Sequence, residues 1–109
     1  DDGDIIGQDE FAISKTTDSS ELYDKVTKSG QKLITKYLPL LVKTRAPRIK
    51  QNETKKTLFT KPKLDNKIDL DADSLKTIDT KIRAFTRPYN WAFIERDGEK
   101  LRIWNSSLE

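Results

Sequence analysis

Three carboxylates stand together at the beginning of this sequence, where Asp1, Asp2 and Asp4 surround Gly3. A carboxylate beside a proton-carrying group can orient that group during proton transfer. Oxygen ligands at alternating positions can instead bind Ca²⁺, but such a loop also needs a glutamate at its twelfth position, which is Ala12 here. The spacing therefore disfavours a calcium loop. It leaves a carboxylate that acts beside a partner group, or an acidic segment without chemistry.

The composition removes several other kinds of site. The 109 residues include neither cysteine nor histidine, so a disulfide framework and a histidine-based hydrolytic triad are excluded within the chain, and a zinc site is strongly disfavoured. No apolar run approaches the roughly 18 residues of a membrane span, and we expect no membrane partner. With 34% hydrophobic and 36% charged residues, the chain is poor in apolar residues for a self-sufficient core.

The net charge of +3 conceals a strong asymmetry along the chain. Residues 1–24 contain eight acidic side chains and one basic side chain, whereas residues 43–67 contain nine Lys or Arg and two acids. The basic stretch has two interpretations: a solvated connection, or a surface that faces the phosphates of RNA or of a nucleotide.

Two elements are expected to position the acidic opening. Residues 4–13 predict a strand, which needs neighbours that no later segment obviously provides, so we expect its sheet to lie upstream. A helix follows, because Asp18 and Glu21 form a capping-box pattern. Pro39 should kink or end this helix near Leu38. Gly30 is either a weak point or a close approach to a sheet. The predicted apolar stripe of the helix consists of Leu22, Val26, Leu33, Tyr37 and Leu41.

Residues 43–73 predict an extended connection, and a second helix is expected over residues 74–86. Either Asp73 or Ser74 caps this helix, Asp79 and Arg83 can pair at i,i+4, and Pro88 ends it. The apolar stripe expected to be buried consists of Leu75, Ile78, Ile82 and Phe85.

Asp97-Gly98 predicts a β-hairpin, because a type I′ turn requires positive φ at both central residues. Pairing outward from this turn gives two apolar faces, so both need a cover: the second helix on one side and a second subunit on the other. We therefore expect a homodimer through the hairpin. One face carries Ala92, Ile94, Leu101 and Ile103; the other carries Trp91, Trp104 and Phe93, with Phe93 under Arg102.

The opening residues 1–8 resemble the Asp-x-Gly-Asp-Ile-Ile-x-Gln segment of formyltransferases that use N10-formyltetrahydrofolate. In that family an Asn-x-His motif lies upstream of this segment, so the chain resembles the C-terminal part of such an enzyme and is expected to be incomplete on its own. The other matching segments, in order, are residues 18–41; Gln51, Glu53, residues 61–63, Ile68 and Asp69; and residues 82–85, Pro88 and the hairpin ending at Trp104.

The resemblance implies roles for the opening residues. Asp1 matches the catalytic carboxylate that orients the imidazole or a water, while Asp2, Gly3 and Asp4 are expected against the pterin of N10-formyltetrahydrofolate. It also implies an α/β fold: residues 1–42 end a Rossmann-like catalytic domain as a strand plus a long helix, 43–73 are a basic connection, and 74–109 form a helix and a hairpin. The family's Pro-Gly pair is Tyr89-Asn90 in this sequence, so this loop is expected to differ.

Two amine acceptors fit the resemblance. Compact sugar N-formyltransferases end near the hairpin, and if Glu109 is a natural end, the acceptor is a nucleotide-linked amino sugar, as in cytoplasmic O-antigen biosynthesis. Methionyl-tRNA formyltransferases continue into a barrel after the hairpin, and methionyl-tRNA is the alternative acceptor. A third hypothesis is a basic adaptor that binds nucleic acid. The candidate substrate-binding residues are Lys61, Lys63, Arg83 and Tyr89, which are otherwise solvated or, for Arg83, paired with Asp79.

Overall fold

A computed structural model describes residues 3–57 and 65–109. The described residues form two compact units. The first is drawn from Asp1–Ala12 and Lys25–Pro62, and the second from Ile13–Asp24 and Lys63–Glu109. The elements in chain order are α1 (Ser19–Val42), one 3₁₀ turn (Glu53–Lys55), α2 (Leu75–Phe85), β1 (Ala92–Arg96) and β2 (Glu99–Ile103). The mixed helix and strand content agrees with the predicted fold class at this coarse level.

In the first unit, the strand predicted over residues 4–13 is wrong as an extended element. Only Ile5 pairs, through antiparallel hydrogen bonds of 2.8 and 3.0 Å with Ile49. The prediction that no later segment neighbours it is also wrong, since Ile49 lies in the basic connection. Further along the segment, the carboxylate of Asp9 accepts hydrogen bonds from Ser29 at 2.9 Å and Lys32 at 2.5 Å.

The start of α1 is confirmed, because the Asp18 carboxylate accepts a 2.8 Å hydrogen bond from the backbone N–H of Glu21. The predicted end near Leu38 is wrong, since α1 contains Pro39 and continues to Val42. Its last carbonyls are satisfied by a Schellman arrangement: Arg45 N–H donates to Leu40 at 2.8 Å, and Thr44 N–H donates to Leu41 at 3.0 Å, with Thr44 at φ 54°. This closure stabilises the turn that follows the proline.

The predicted stripe of α1 is only partly covered in the described structure. Val26 and Leu41 are 52% and 45% exposed. At Gly30, where the sequence left open a weak point or a close approach to a sheet, an added Cβ would meet nothing within 4 Å among the described residues. Close packing occurs instead at Gly7, where an added Cβ would overlap the ring of Tyr37. The first unit is thus held by a glycine–tyrosine contact that the sequence did not predict.

In the second unit, Ser74 caps α2 by accepting a 3.1 Å hydrogen bond from the N–H of Thr77. The helix ends at Phe85, ahead of Pro88 as predicted. Ile82 is buried at 3% exposure, but Leu75 is 73% exposed, so the predicted stripe is wrong at its first position. Leu75 is the first residue of the helix, where it extends beyond the elements that cover Ile82.

The hairpin forms with the predicted register, from Ala92 opposite Ile103 to Arg96 opposite Glu99. Asp97 and Gly98 have φ values of 54° and 81°, as a type I′ turn requires. This turn matches the right-handed twist of the two strands, which explains why the local sequence suffices to set the pairing.

A third segment, residues 66–68, pairs with β1 beside the hairpin. Ile68 N–H donates to Phe93 at 2.8 Å, and Phe93 N–H donates to Asn66 at 3.0 Å, so residues 66–68 run parallel to β1. Ile68 is 2% exposed and lies with Ile82 and Ala92 in the core of this unit. The last part of the predicted surface connection is therefore a core segment. The partly buried side chains around this core are Ile78, Phe85, Ile94 and Ile103.

We expect Ile82→Ala to lower the free energy of unfolding by about 2–5 kcal/mol, because it removes a buried side chain and leaves a cavity. Leu75→Ala on the same helix is the matched control, and its effect should stay within about 0.5 kcal/mol. Urea denaturation of both variants measures this difference. Equal losses would contradict the assignment of the core.

Candidate functional site

The predicted site residues fall into three groups. Asp1, Asp2, Lys61 and Lys63 lie outside the described residues. Gly3 and Asp4 lie in the first unit, whereas Arg83 and Tyr89 lie in the second.

Residues 3–5 are fixed by two contacts with the basic connection. The backbone carbonyl of Gly3 accepts a 2.7 Å hydrogen bond from the Gln51 side-chain amide. Two residues away, Ile5 pairs with Ile49 through both backbone hydrogen bonds. The segment that follows Asp1 and Asp2 in sequence thus has a defined backbone path rather than the freedom of a chain end.

Gly3 presents an open backbone, since a Cβ added to it would meet no atom within 4 Å. Its neighbour Asp4 lines a hollow of about 190 Å³ in the first unit, which also receives Arg48. The hollow combines a carboxylate, a guanidinium and apolar walls, so it can accept a polar group beside a flat apolar one. The remaining lining residues are Ile6, Leu41, Thr44, Ala46 and Pro47.

A larger groove of about 390 Å³ lies in the second unit and includes both Arg83 and Tyr89. Its walls come from residues 13–23 and from the second half of α2. The lining is mainly apolar, with the hydroxyls of Tyr23 and Tyr89 close together. The other lining residues include Ile13, Leu22, Ala84 and Phe85.

Arg83 connects three parts of the second unit. Its Nε donates to Asp79 at 2.9 Å, confirming the predicted pair, and its Nη1 donates to the backbone carbonyl of Thr17 at 3.0 Å. The other oxygen of Asp79 accepts from Ser106 at 2.7 Å. The hydrogen bond from Ser106 and then the one from Arg83 hold the pKa of Asp79 below its usual value. The guanidinium is therefore engaged in structure.

Tyr89 has a different environment. Its hydroxyl lies 3.3 Å from that of Tyr23, and the two rings meet edge to face at 5.9 Å. The hydrogen bond with Tyr89 raises the pKa of Tyr23. Tyr89 is 40% exposed and lines the groove, so part of its side chain is open to a ligand there.

Sequence reasoning missed Ser19 and Gln51 as residues that position these sites. The Ser19 hydroxyl donates to the carbonyls of Thr86 and Arg87, at 2.9 and 3.0 Å, and so fixes the chain that leads to Tyr89. No local pattern reports these partners, which lie 67 and 68 residues away. Gln51 was noticed only through the resemblance, without a contact.

The described ranges contain no group of three or more acidic, histidine or cysteine side chains that could hold a metal ion. The acidic turn at Asp69–Asp73 is closed by its own backbone and by Lys81, whose ammonium lies 2.8 Å from the Asp73 carboxylate. No helix in the described part of the chain has the length and apolar character needed to cross a membrane.

Comparison with known proteins finds similarity to methionyl-tRNA formyltransferases over nearly the whole chain. The sequence is 30% identical over 107 residues to the enzyme of that name from Latilactobacillus sakei, and 30% identical over 106 residues to that from Moorella thermoacetica; both alignments cover 97% of this chain. The methionyl-tRNA formyltransferase of Bacillus cytotoxicus is 30% identical over 102 residues, or 94% of the chain. No protein-family model matches the sequence.

These alignments cover 33%, 34% and 32% of the three relatives, so the chain spans about a third of their length. The resemblance to formyltransferases that the sequence indicated is confirmed over this third. The specific resemblance to a sugar N-formyltransferase is not supported, because the relatives carry the other name.

The Asp79 contacts predict a pH-dependent contribution to stability. Because the folded-state pKa of Asp79 is lowered, the contribution is present above its unfolded-state pKa of about 3.9 and is lost as the pH falls through the folded-state pKa. We expect the stability difference between the wild type and Asp79→Asn to be largest near neutral pH and to shrink below about pH 4. Urea denaturation from pH 3 to 7 measures it, and a pH-independent difference would contradict this role.

Proposed function

We propose that this chain is part of a methionyl-tRNA formyltransferase. The enzyme would transfer the formyl group of N10-formyltetrahydrofolate to the α-amino group of methionyl-tRNA. The observation that carries the proposal is the 30% identity over 97% of the chain to proteins with that name.

Methionyl-tRNA therefore replaces the nucleotide-linked amino sugar as the favoured acceptor. A nucleotide-linked amino sugar, and with it O-antigen biosynthesis, was expected only if Glu109 is a natural end. The relatives' names instead favour methionyl-tRNA. The cytoplasmic location and the homodimer through the hairpin stay predictions, and the proposed reaction requires neither.

The reaction needs few groups. The amine nitrogen attacks the formyl carbon and forms a C–N bond, the tetrahedral oxyanion collapses, and the bond from the formyl carbon to N10 breaks. The amine loses a proton and N10 gains one, so the step requires an oxyanion donor and a group that transfers protons. We assign Asp1 the role of orienting that proton-transferring group, which lies outside this chain.

The geometry of the following residues supports a binding role for the same segment. The contact between Gly3 and Gln51 fixes the backbone path, and the open space beside Gly3 allows a flat ring to approach closely. Asp4 adds a carboxylate at the edge of the adjacent hollow. We assign Asp2, Gly3 and Asp4 to the pterin of the formyl donor.

The remaining candidate residues are assigned different roles according to their contacts. Arg83 already donates to Asp79 and Thr17, so we propose a structural role for it rather than acceptor binding. Tyr89 is 40% exposed and lines the groove, so it remains a candidate for contacting the acceptor. Lys61 and Lys63 belong to the basic stretch of residues 43–67, which we assign to phosphates of the tRNA.

The test uses the full-length protein that carries this chain, N10-formyltetrahydrofolate and two acceptors. We expect formylation of methionyl-tRNA and no measurable formylation of nucleotide-linked amino sugars. Formylation of the sugar alone would contradict the choice of acceptor, and turnover of neither acceptor would contradict the proposed enzyme class. Binding of nucleic acid without any turnover would favour the adaptor hypothesis.

Within the active protein, Asp1→Asn should lower kcat by roughly two to four orders of magnitude, because it removes the charge that orients proton transfer. Glu10→Gln is the matched control, since Glu10 is an exposed carboxylate in the same segment, and its kcat should equal that of the wild type. Near-normal turnover of Asp1→Asn would remove Asp1 from the mechanism.

A further inference from the structure

The hairpin face that turns away from α2 carries an alternation of aromatic rings and cations. The predicted stacking of Arg102 over Phe93 is wrong: Arg102 lies over Trp91, at 4.7 Å from the ring centroid, and Lys100 lies over Phe93 at 4.9 Å. Arg87 lies 5.2 Å from the ring centroid of Trp104. Both strand cations thus lie over a ring that is diagonal to them, since the residue directly opposite Arg102 is Phe93 and the residue directly opposite Lys100 is Glu95.

The two indole rings form the centre of this face. The ring centroids of Trp91 and Trp104 are 4.5 Å apart, and Trp104 is 46% exposed. The Trp91 backbone is fixed from the side, because Asn66 donates a 2.8 Å hydrogen bond to its carbonyl. Within the described residues, the Trp104 ring is therefore partly accessible, and the Trp91 backbone is held in place.

The charge on this face is predominantly positive. Its carboxylate is Glu95, which lies 3.1 Å from the ammonium of Lys67. Within the described ranges, Arg87, Lys100 and Arg102 make no ion pair with a carboxylate and instead lie on aromatic rings. All three are exposed. Cations held on rings in this way are pre-positioned for an incoming anion at little further cost in side-chain entropy.

We propose that this face, composed of Arg87, Trp91, Phe93, Lys100, Arg102 and Trp104, is a contact surface for RNA. The cations would bind backbone phosphates, and the exposed edge of Trp104 would stack with a base or a ribose. Alternating cations and aromatic rings are the combination that nucleic acids require, because each nucleotide has one charged and one flat group. The inference rests on the proposed function, in that the RNA is the tRNA acceptor.

A second copy of this chain fits the surface less well. In a two-fold symmetric dimer the same patch meets itself, so Arg87, Lys100 and Arg102 of one subunit would approach the same residues of the other. Such like-charge contacts oppose association. The charge of the face thus favours a polyanion over the hairpin dimer expected from the sequence.

The experiment measures the affinity of the full-length protein for fluorescently labelled, deacylated initiator tRNA at several KCl concentrations. We expect Arg87→Gln with Arg102→Gln to raise Kd about tenfold or more. The slope of log Kd against log salt should decrease by roughly 0.7–0.9 for each cation removed. Trp104→Leu should raise Kd several-fold with an unchanged salt slope, because stacking releases no counterions.

Lys76→Gln on α2 is the matched control, since it removes an exposed cation away from this face, and its Kd should equal that of the wild type. In formylation assays the double arginine variant should raise KM for methionyl-tRNA and leave KM for N10-formyltetrahydrofolate unchanged. Circular dichroism and thermal melting show whether each variant remains folded; the arginine variants keep the test valid if Trp104→Leu unfolds.

The outcomes separate this inference from the proposed function. If the protein formylates methionyl-tRNA but the arginine variants keep the wild-type Kd, the inference is wrong and the function stands. If it binds tRNA through these arginines without formylating methionyl-tRNA, the function is wrong and the inference stands. A change from dimer to monomer in sedimentation, with tRNA affinity unchanged, would identify the face as a contact between copies and would overturn the inference.

Discussion

The buried contact among Ile68, Ile82 and Ala92 is the constraint on which the second unit depends. It joins residues from the connection, from α2 and from β1, which lie 10 to 24 residues apart in sequence. A two-stranded hairpin is marginal in water, and here it gains both a helix across one face and a parallel pairing with residues 66–68. Burial of these three apolar side chains thus stabilises the hairpin that the local turn sequence favours.

The consequences of this core extend to both candidate surfaces of the unit. Because Ala92 faces α2, the neighbouring Trp91 and Phe93 must face the opposite side, where Arg102 and Lys100 stack on them. Because Ile82 is buried, its neighbour Arg83 is placed to reach Asp79 and residues 13–24. The groove and the hairpin face that carries Arg102 and Lys100 therefore both depend on the same packing arrangement.

Local chemistry made part of this structure predictable. The Asp18 cap, the Asp79–Arg83 pair and the Asp97-Gly98 turn each depend on residues within four positions, and all three are confirmed. The contacts that the sequence did not predict join residues that are distant in sequence: Ile5 with Ile49, Ser19 with Thr86, and Ile68 with β1. The Schellman closure at Thr44 shows a further reason, since threonine occupies a left-handed position that sequence patterns reserve for glycine. For the site, the resemblance indicated the chemistry and the spacing predicted the pairing of Arg83 with Asp79, but the hydrogen bond from Arg83 to the distant Thr17 carbonyl has no local sequence signal.

Amide hydrogen exchange of Ile68 in the full-length protein tests most directly whether one core unites these segments. Its N–H donates to Phe93 at 2.8 Å, although the sequence assigned it to an extended surface connection. We expect this amide to be protected as strongly as that of Phe93, and Ile82→Ala to weaken both protections together, because one cooperative unit opens. Exchange of the Ile68 amide at the rate of an unstructured chain, with β1 still protected, would show that residues 66–68 do not share this core.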